Sequence, residues 1–280
     1  MPDIGFLNGQ FSLLENIRLS PEDRGFLFGD GVYEVIRAYR GTPAFWEDHF
    51  NRLLRSAGAI KLPLPFDQMT FRDILYDGIR QSDYLEVKIY IQLTRGVAPR
   101  DHIFPSPCNP TVFLSFREMA KLSLDFQMNG VSVIALPDLR WGRCDIKSLN
   151  LLPNVLAKQQ AKEAGVFEAI FMRENLVMEG ATSNLFMIRH GVISTPLINH
   201  QVLAGVTQLH VIQVAKDLGK TIECRPISLE ELMAADEVFL TGTTIEILPV
   251  VSIDGCMINQ GKPGILTQEL QRNFASLLHA

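Results

Sequence analysis

A polar segment from Arg117 to Asp125 divides the 280-residue sequence into two parts, and each part mixes two kinds of hydrophobic pattern. In the first part, apolar residues recur at helical spacing over 46–60, whereas residues 85–94 alternate as a strand does. In the second part, the apolar run 131–136 indicates a buried strand. We therefore predict an α+β (mixed α/β) fold of two domains, residues 1–122 and 123–280.

The composition excludes several classes of function. Hydrophobic residues make up 47% of the sequence and charged residues 20%, as in an ordinary globular enzyme. The net charge is −5 and no long run of Lys or Arg occurs, so no nucleic-acid partner is expected. No apolar stretch is long enough for a membrane span, and the start lacks signal-peptide regions. The cysteines (Cys108, Cys144, Cys224, Cys256) form no CxxC pair, which argues against a metal site and predicts a reduced, cytoplasmic protein.

Lys147 is the amine of the segment 143–154, and its flanking residues are apolar. Those residues are Ile146, Leu149, Leu151 and Leu152. Loss of hydration disfavours the charged form of a lysine, and a neutral amine can attack a carbonyl carbon to form a Schiff base. The alternative, which spacing alone favours, is a lysine whose stem packs on the core while its head reaches water.

Two segments of the second half are candidate anion sites. Residues 203–207 precede a predicted helix, and backbone N–H groups at a helix start attract negative charge. The turn 241–244 carries three threonines at the end of a predicted strand. Glu179 follows two apolar residues and precedes Gly180, which allows its carboxylate to point into a site. The alternatives are an ordinary N-cap at Thr207 and an exposed turn carboxylate at Glu179.

The first half contributes candidate cations and a tyrosine. Arg52 lies on the polar side of the helix predicted at 46–60, and Arg100 and His102 follow a strand in a proline-containing loop. A guanidinium donates two parallel hydrogen bonds to a carboxylate, so a loop of this kind suits a carboxylate ligand. Tyr33 follows a glycine cluster on a predicted strand. Solvated charges and a packed tyrosine ring are the plain alternatives.

Taken together, these features match the needs of one cofactor. Pyridoxal 5'-phosphate has an aldehyde that takes a lysine, a pyridine nitrogen that a carboxylate keeps protonated, and a phosphate that requires hydrogen-bond donors. The sequence offers an amine, a carboxylate and two candidate anion sites, with a further arginine and histidine for a substrate carboxylate. We therefore predict pyridoxal 5'-phosphate as the cofactor.

Three blocks of sequence resemble the fold-type IV pyridoxal-phosphate enzymes, and within them the D-amino acid aminotransferases. The blocks are Arg24–Arg37, Thr94–His102 and Arg140–Leu152, and the similarity extends over nearly the whole chain. The resemblance implies a homodimer with the active site between two domains, of which the C-terminal one carries the lysine. It also implies transamination between a D-amino acid of the D-alanine type and a 2-oxo acid.

The resemblance also implies a role for each candidate residue. Lys147 forms the Schiff base with the cofactor and moves the substrate proton, and Glu179 faces the pyridine nitrogen. Leu203 lies against the cofactor ring. The phosphate is bound by Arg52, Val206, Thr207 and Thr243. The substrate carboxylate is bound by Tyr33, Arg100 and His102, the last two supplied by the other subunit.

The sequence departs from the pattern at two positions and leaves alternatives open. Gly242 stands where relatives carry serine, which removes one hydroxyl near the phosphate, and Pro153 replaces an aromatic residue. The alternatives on the same fold are an aminodeoxychorismate lyase and a branched-chain L-amino acid aminotransferase. The block Arg95–His102 argues against both, less strongly against the second. A protein that binds the cofactor without catalysis is the remaining alternative.

Overall fold

The structure, a computed structural model, describes residues 1–120 and 122–278. Lys121, within the predicted boundary segment, and residues 279–280, within the predicted second domain, lie outside the described residues. The described chain forms two compact units. Met1–Ala120 and Ile146–Asn150 form the first, and the remaining described residues form the second. Lys147 thus belongs to the first unit, whereas the sequence analysis assigned it to the domain 123–280, because its segment hydrogen-bonds to a strand of the first unit.

The first unit is a six-stranded antiparallel sheet with three helices. The strands lie in the order β2-β1-β6-β5-β3-β4. They are β1 Ile4–Leu7, β2 Gln10–Leu13, β3 Gly31–Tyr39, β4 Thr42–Pro43, β5 Glu86–Thr94 and β6 Thr111–Glu118. The helices are α1 Arg24–Phe28, α2 Trp46–Ala59 and α3 Gln68–Ser82. The predicted helix at 46–60 and the predicted strand at 85–94 are therefore confirmed.

The core of the first unit lies between its helices and one face of the sheet. Strand β3 alternates as a half-buried strand does, so Val32, Ile36 and Ala38 are buried. On α2, residues at helical spacing, among them Phe50 and Leu53, are buried in the same cluster. As a result, the buried polar residues of α2 lie directly over β3.

The second unit is built on a nine-stranded mixed sheet. Its strands lie in the order β12-β11-β10-β13-β14-β7-β8-β9, with β15 paired to β14. They are β7 Val131–Pro137, β8 Glu168–Arg173, β9 Leu176–Gly180, β10 Asn184–Arg189, β11 Val192–Thr195, β12 Ile222–Cys224, β13 Glu237–Gly242, β14 Glu246–Ile253 and β15 Cys256–Met257. The helices are α4 Leu124–Asn129, α5 Leu152–Glu163, α6 Val206–Asp217, α7 Leu229–Met233 and α8 Ile265–Leu278.

Local sequence explains where these elements begin. Pro153 lies in the first turn of α5, where the missing proline N–H leaves no hydrogen bond unmade. Ser228 caps α7 by accepting from the Glu231 N–H at 3.1 Å. Strands β7 and β8 pair in parallel and are joined through α5, the usual crossover connection between parallel strands. Within the described residues, every helix is too short or too polar to cross a bilayer.

Candidate active site

The backbone around Lys147 is attached to β3 and α2 of the first unit. The Tyr33 N–H donates to the Lys147 carbonyl at 3.0 Å, and the Leu149 N–H donates to the Gly31 carbonyl at 3.1 Å. The Lys147 N–H donates to the Ser56 hydroxyl at 3.2 Å. Bonds on both sides hold the residue against a regular strand, which is the rigid support that a catalytic side chain needs.

The side chain of Lys147 is half-buried, with its amine 4.3 Å from the centroid of the Tyr33 ring. The structure therefore brings these two predicted site residues together. The apolar surroundings expected from the sequence are formed only in part. Ile146 is 5% exposed and packs in the core of the first unit, whereas Leu152, in the second unit, is 68% exposed.

Arg52 lies on α2 and is 5% exposed, because it pairs with a buried carboxylate on β3. Its Nε and Nη2 donate to the two oxygens of Glu34 at 2.7 and 2.8 Å. The Nδ1 atom of His49, one turn earlier on α2, lies 2.8 Å from Glu34 Oε2. The predicted phosphate ligand is thus anchored to the sheet by a carboxylate that the sequence analysis missed.

The charge states in this cluster follow from burial and pairing. Burial opposes ionisation of Glu34, but Arg52 and His49 outweigh it and hold the pKa of Glu34 well below its usual range. Burial lowers the pKa of His49; Glu34 opposes this, whereas the positive charges of Arg52 and Lys147 add to it. At neutral pH the cluster is therefore a carboxylate, a guanidinium and a neutral imidazole.

Arg100 and His102 lie on the exposed loop after β5. The Arg100 guanidinium carbon is 5.2 Å from the centroid of the Phe28 ring, and the His102 ring is 5.3 Å from the same centroid. Among the described residues, neither side chain forms a hydrogen bond, ion pair or ring contact with Tyr33 or Lys147 of its own chain. The structure brings the two loop residues together but does not join them to the other predicted residues of this unit.

Glu179, near the end of β9 in the second unit, is a buried carboxylate surrounded by donors. Arg140 donates to Oε1 through Nη1, while Asn184 Nδ2 and the Leu203 N–H each donate to Oε2 at 3.1 Å. Arg140 is itself fixed by Asp138, with Nε–Oδ1 at 2.9 Å. Donors on both oxygens stabilise the ionised carboxylate. Glu179 is therefore not the exposed turn carboxylate that the sequence left open.

Helix α6 begins at Val206, two residues earlier than predicted, with Val206 and Thr207 in its first turn and Gly205 as its N-cap. The amides of a first turn have no carbonyl partner within the helix. A side chain at Gly205 would overlap the Asn184 amide oxygen, so glycine lets the helix start approach the Glu179 cluster. The sequence analysis left open whether Thr207 is the N-cap; that position belongs to Gly205.

Strand β13 ends at Gly242 and Thr243 follows in the turn, and both residues are partly exposed. Close to this turn, two hydroxyls are buried without a hydrogen-bond partner among the described residues, those of Thr241 and Ser183. Buried hydroxyls are almost always paired in native proteins. Unpaired ones beside a buried carboxylate and a helix start indicate that a polar group is accommodated here.

Three residues of these clusters were not predicted from the sequence. Glu34 could have been found from strand alternation, because Val32 and Ile36 on either side of it are core residues and a carboxylate between them must be paired. His49 lies one helical turn before Arg52, so the two share a face of α2. Arg140 had no local signal, since its role depends on a contact with a glutamate 39 residues away.

The family model described as amino-transferase class IV matches residues 31–253, which is most of the chain. The chain belongs to the class IV aminotransferases. It is 42% identical to a D-alanine aminotransferase from Bacillus licheniformis over 264 residues, covering 94% of this chain and 93% of that protein. The predicted family and its fold-type IV architecture are confirmed, and the protein is an aminotransferase.

Solved structures of this family are also similar. A branched-chain amino acid aminotransferase from Escherichia coli has a TM-score of 0.93 at 26% identity, covering 99% of this chain and 95% of that one. A branched-chain amino acid aminotransferase from T.th., solved with pyridoxamine 5'-phosphate, has a TM-score of 0.89 at 29% identity, with 99% and 94% covered. Among the residues that this aminotransferase's structure describes, no group of histidine, cysteine, aspartate or glutamate side chains could hold a metal ion.

Proposed function

We propose that this aminotransferase exchanges amino groups between D-amino acids of the D-alanine type and 2-oxo acids, with pyridoxal 5'-phosphate as its cofactor. The observation that carries the proposal is the similarity, over 94% of the chain, to a protein named D-alanine aminotransferase. The attachment of Lys147 to β3 and the donor-surrounded Glu179 support it, because the reaction requires both an amine and a buried carboxylate.

The residues present suit the cofactor. Glu179 is a buried carboxylate with donors on its oxygens, and an ionised carboxylate is the acceptor that the N–H of a pyridinium requires. Val206 and Thr207 would bind the phosphate through the amides of the α6 start, with Thr243 and Arg52 as further donors. Leu203 would lie against the ring. Bound pyridoxal phosphate supplies an aldehyde for amines and a ring that withdraws electrons from a substrate's α-carbon.

Lys147 would first hold the cofactor and then serve as the proton carrier. Its amine Nζ would take the proton from the α-carbon of the amino acid and deliver it to the cofactor carbon that carried the aldehyde, and would carry a proton the opposite way in the reverse half of the cycle. Its backbone, fixed by Ser56 and β3, keeps that amine in place while the substrate changes. Glu34 holds Arg52 by a two-pronged contact, which fixes the guanidinium for an anion.

Tyr33, Arg100 and His102 would bind the α-carboxylate of the substrate. Because the two loop residues are exposed and make no contact with Tyr33 or Lys147 of their own chain among the described residues, we propose that they serve the site of a second copy in a homodimer. Each site would then take Lys147 and Glu179 from one chain and the loop from its partner. Two parallel bonds from Arg100 would orient the carboxylate.

A half-reaction assay tests the substrate. The holoenzyme is mixed separately with D-alanine, L-leucine and aminodeoxychorismate, and the cofactor spectrum is followed. D-alanine should convert the cofactor from its aldehyde to its amine form and release pyruvate, whereas Lys147→Ala should show no conversion. Conversion by L-leucine in preference to D-alanine would favour a branched-chain aminotransferase, which the similarity to the Escherichia coli structure makes the second candidate. Release of pyruvate from aminodeoxychorismate would favour the lyase.

A further inference from the structure

Arg24, the first residue of α1, binds the loop that carries Arg100 and His102. It is 3% exposed, and its Nη1 donates to the carbonyl of Asp101 and, at 3.4 Å, to that of Ile103. Its Nη2 lies 3.5 Å from the His102 carbonyl. One guanidinium therefore faces three consecutive carbonyls of a loop whose side chains are exposed.

The guanidinium of Arg24 is itself held by an ion pair with Asp30. Asp30 Oδ2 accepts from Arg24 Nε at 2.8 Å and from Arg95 Nε at 2.9 Å. Arg95 is 2% exposed and donates to the carbonyls of Ile60 and Lys61 at 2.7 and 3.0 Å. The loop is thereby connected through two buried arginines to the end of α2. Because protein oxygens accept from the Arg24 guanidinium, this side chain supports the loop and is not a ligand-binding group.

The ring of Phe28 contacts Arg24 and also the side chains of Arg100 and His102. The guanidinium carbon of Arg24 is 4.9 Å from the centroid of its ring, and that of Arg100 is 5.2 Å from it. The His102 ring is 5.3 Å away. A cation over an aromatic face is attracted to it, and aromatic rings pack against each other, so the Phe28 ring restricts both Arg100 and His102.

We propose that Arg24 and Phe28 form a clamp that holds the loop 100–102 in the conformation that receives the substrate carboxylate. This inference rests on the proposed role of Arg100 and His102. A long side chain loses conformational entropy when it is immobilised on a ligand, and a loop that is already ordered avoids much of that loss. Arg24 and Phe28 are thus positioning residues that set amino-acid affinity and leave cofactor affinity unchanged.

The test compares three variants of the holoenzyme. Arg24→Lys keeps a positive charge opposite Asp30 but loses the guanidinium hydrogen bonds to the loop carbonyls. Phe28→Leu removes the aromatic ring while keeping an apolar side chain. Arg225→Lys is the matched control, because Arg225 also binds carboxylates and a backbone carbonyl, those of Glu231, Glu223 and Pro226. The readouts are the rate of amide hydrogen exchange over residues 100–103, the KM for D-alanine with kcat, and the Kd for pyridoxal phosphate.

Arg24→Lys and Phe28→Leu should each exchange the amides of residues 100–103 about tenfold faster and show a KM about tenfold higher, with kcat and cofactor Kd within about twofold of wild type. Arg225→Lys should change none of these. Exchange over these residues equal to wild type would overturn the clamp, as would a uniform rise in exchange over all described residues with loss of cofactor. A wild-type enzyme inactive on D-alanine would refute the proposed substrate, while the exchange comparison would still decide on the clamp.

Discussion

Glu34 shows how a single buried carboxylate can organise several functional residues. It is 0% exposed and contacts Arg52 through both oxygens, with His49 on one of them. Removing one partner of a buried ion pair leaves the other charge without compensation, and this loss exceeds the net contribution of the pair itself. The stability of the first unit and the orientation of Arg52 therefore depend on the same carboxylate.

We expect Glu34→Gln to lower the free energy of unfolding by about 3 kcal/mol at pH 7, measured by urea denaturation. Because the folded-state pKa of Glu34 is depressed, its contribution is present above the unfolded-state pKa of about 4.3 and is lost as the pH falls below it. The difference between variant and wild type should thus shrink below about pH 4. Glu86→Gln, which removes the less buried Arg37–Glu86 pair, should cost less than about 1 kcal/mol. Equal losses in the two variants would contradict the role of Glu34.

Relatives carry serine at the position of Gly242, so a substitution here tests whether the missing hydroxyl would bind the phosphate. A Cβ at this position would lie 3.3 Å from Ile245 Cγ1, a tight contact with a flexible side chain, and the backbone is not in the left-handed region. Gly242→Ser should therefore fold normally and, through one added hydrogen bond of about 1 kcal/mol, lower the cofactor Kd about fivefold. Fluorescence titration of the apo-enzyme measures this. A Kd that rises, with unchanged thermal stability, would place the hydroxyl away from the phosphate.

At the scale of elements, α2 shows what hydrophobic periodicity can and cannot predict. The helical spacing of Phe50 and Leu53 predicted α2 and its buried face. The spacing could not show that polar residues of α2 are buried as well, because pairing with Glu34 requires knowing that α2 lies over β3. The same limit explains Arg140, whose partner Glu179 is 39 residues away in sequence. The family resemblance thus predicted the roles of the site residues, and the local hydrophobic pattern predicted the helices and strands.

The two glycines within α2 and α3 should respond oppositely to the same substitution. Gly78 of α3 packs against the ring of Phe116, which an added Cβ would overlap, whereas Gly58 of α2 has open space around its Cβ direction. We expect Gly78→Ala to destabilise the protein by about 2 kcal/mol and Gly58→Ala to stabilise it by about 0.5 kcal/mol. Thermal denaturation of both variants distinguishes the effects. If both stabilise, α3 does not lie on β6 as closely as described.

At the scale of the whole molecule, the predicted substrate-binding residues fall into sets with different surroundings. Tyr33 and Lys147 are partly buried against β3, whereas Arg100 and His102 are exposed on a loop that carries apolar side chains. Ile103 and Phe104 of this loop are 76% and 50% exposed. Exposed apolar side chains next to functional residues are typical of a surface that binds another protein. A second copy of the chain is the occupant that the proposed mechanism requires.

Complementation between two inactive variants tests this arrangement directly. Lys147→Ala and Arg100→Ala chains are co-expressed with different tags, and the heterodimer is purified through both. If Arg100 serves the partner's site, one of the two sites in the heterodimer contains intact Lys147 and Arg100, so activity should reach about half of wild type. If each site uses Lys147 and Arg100 of one chain, both sites are defective and no activity returns. The control heterodimer of Lys147→Ala and Glu179→Ala should stay inactive in either case, because the proposal takes these two residues from the same chain.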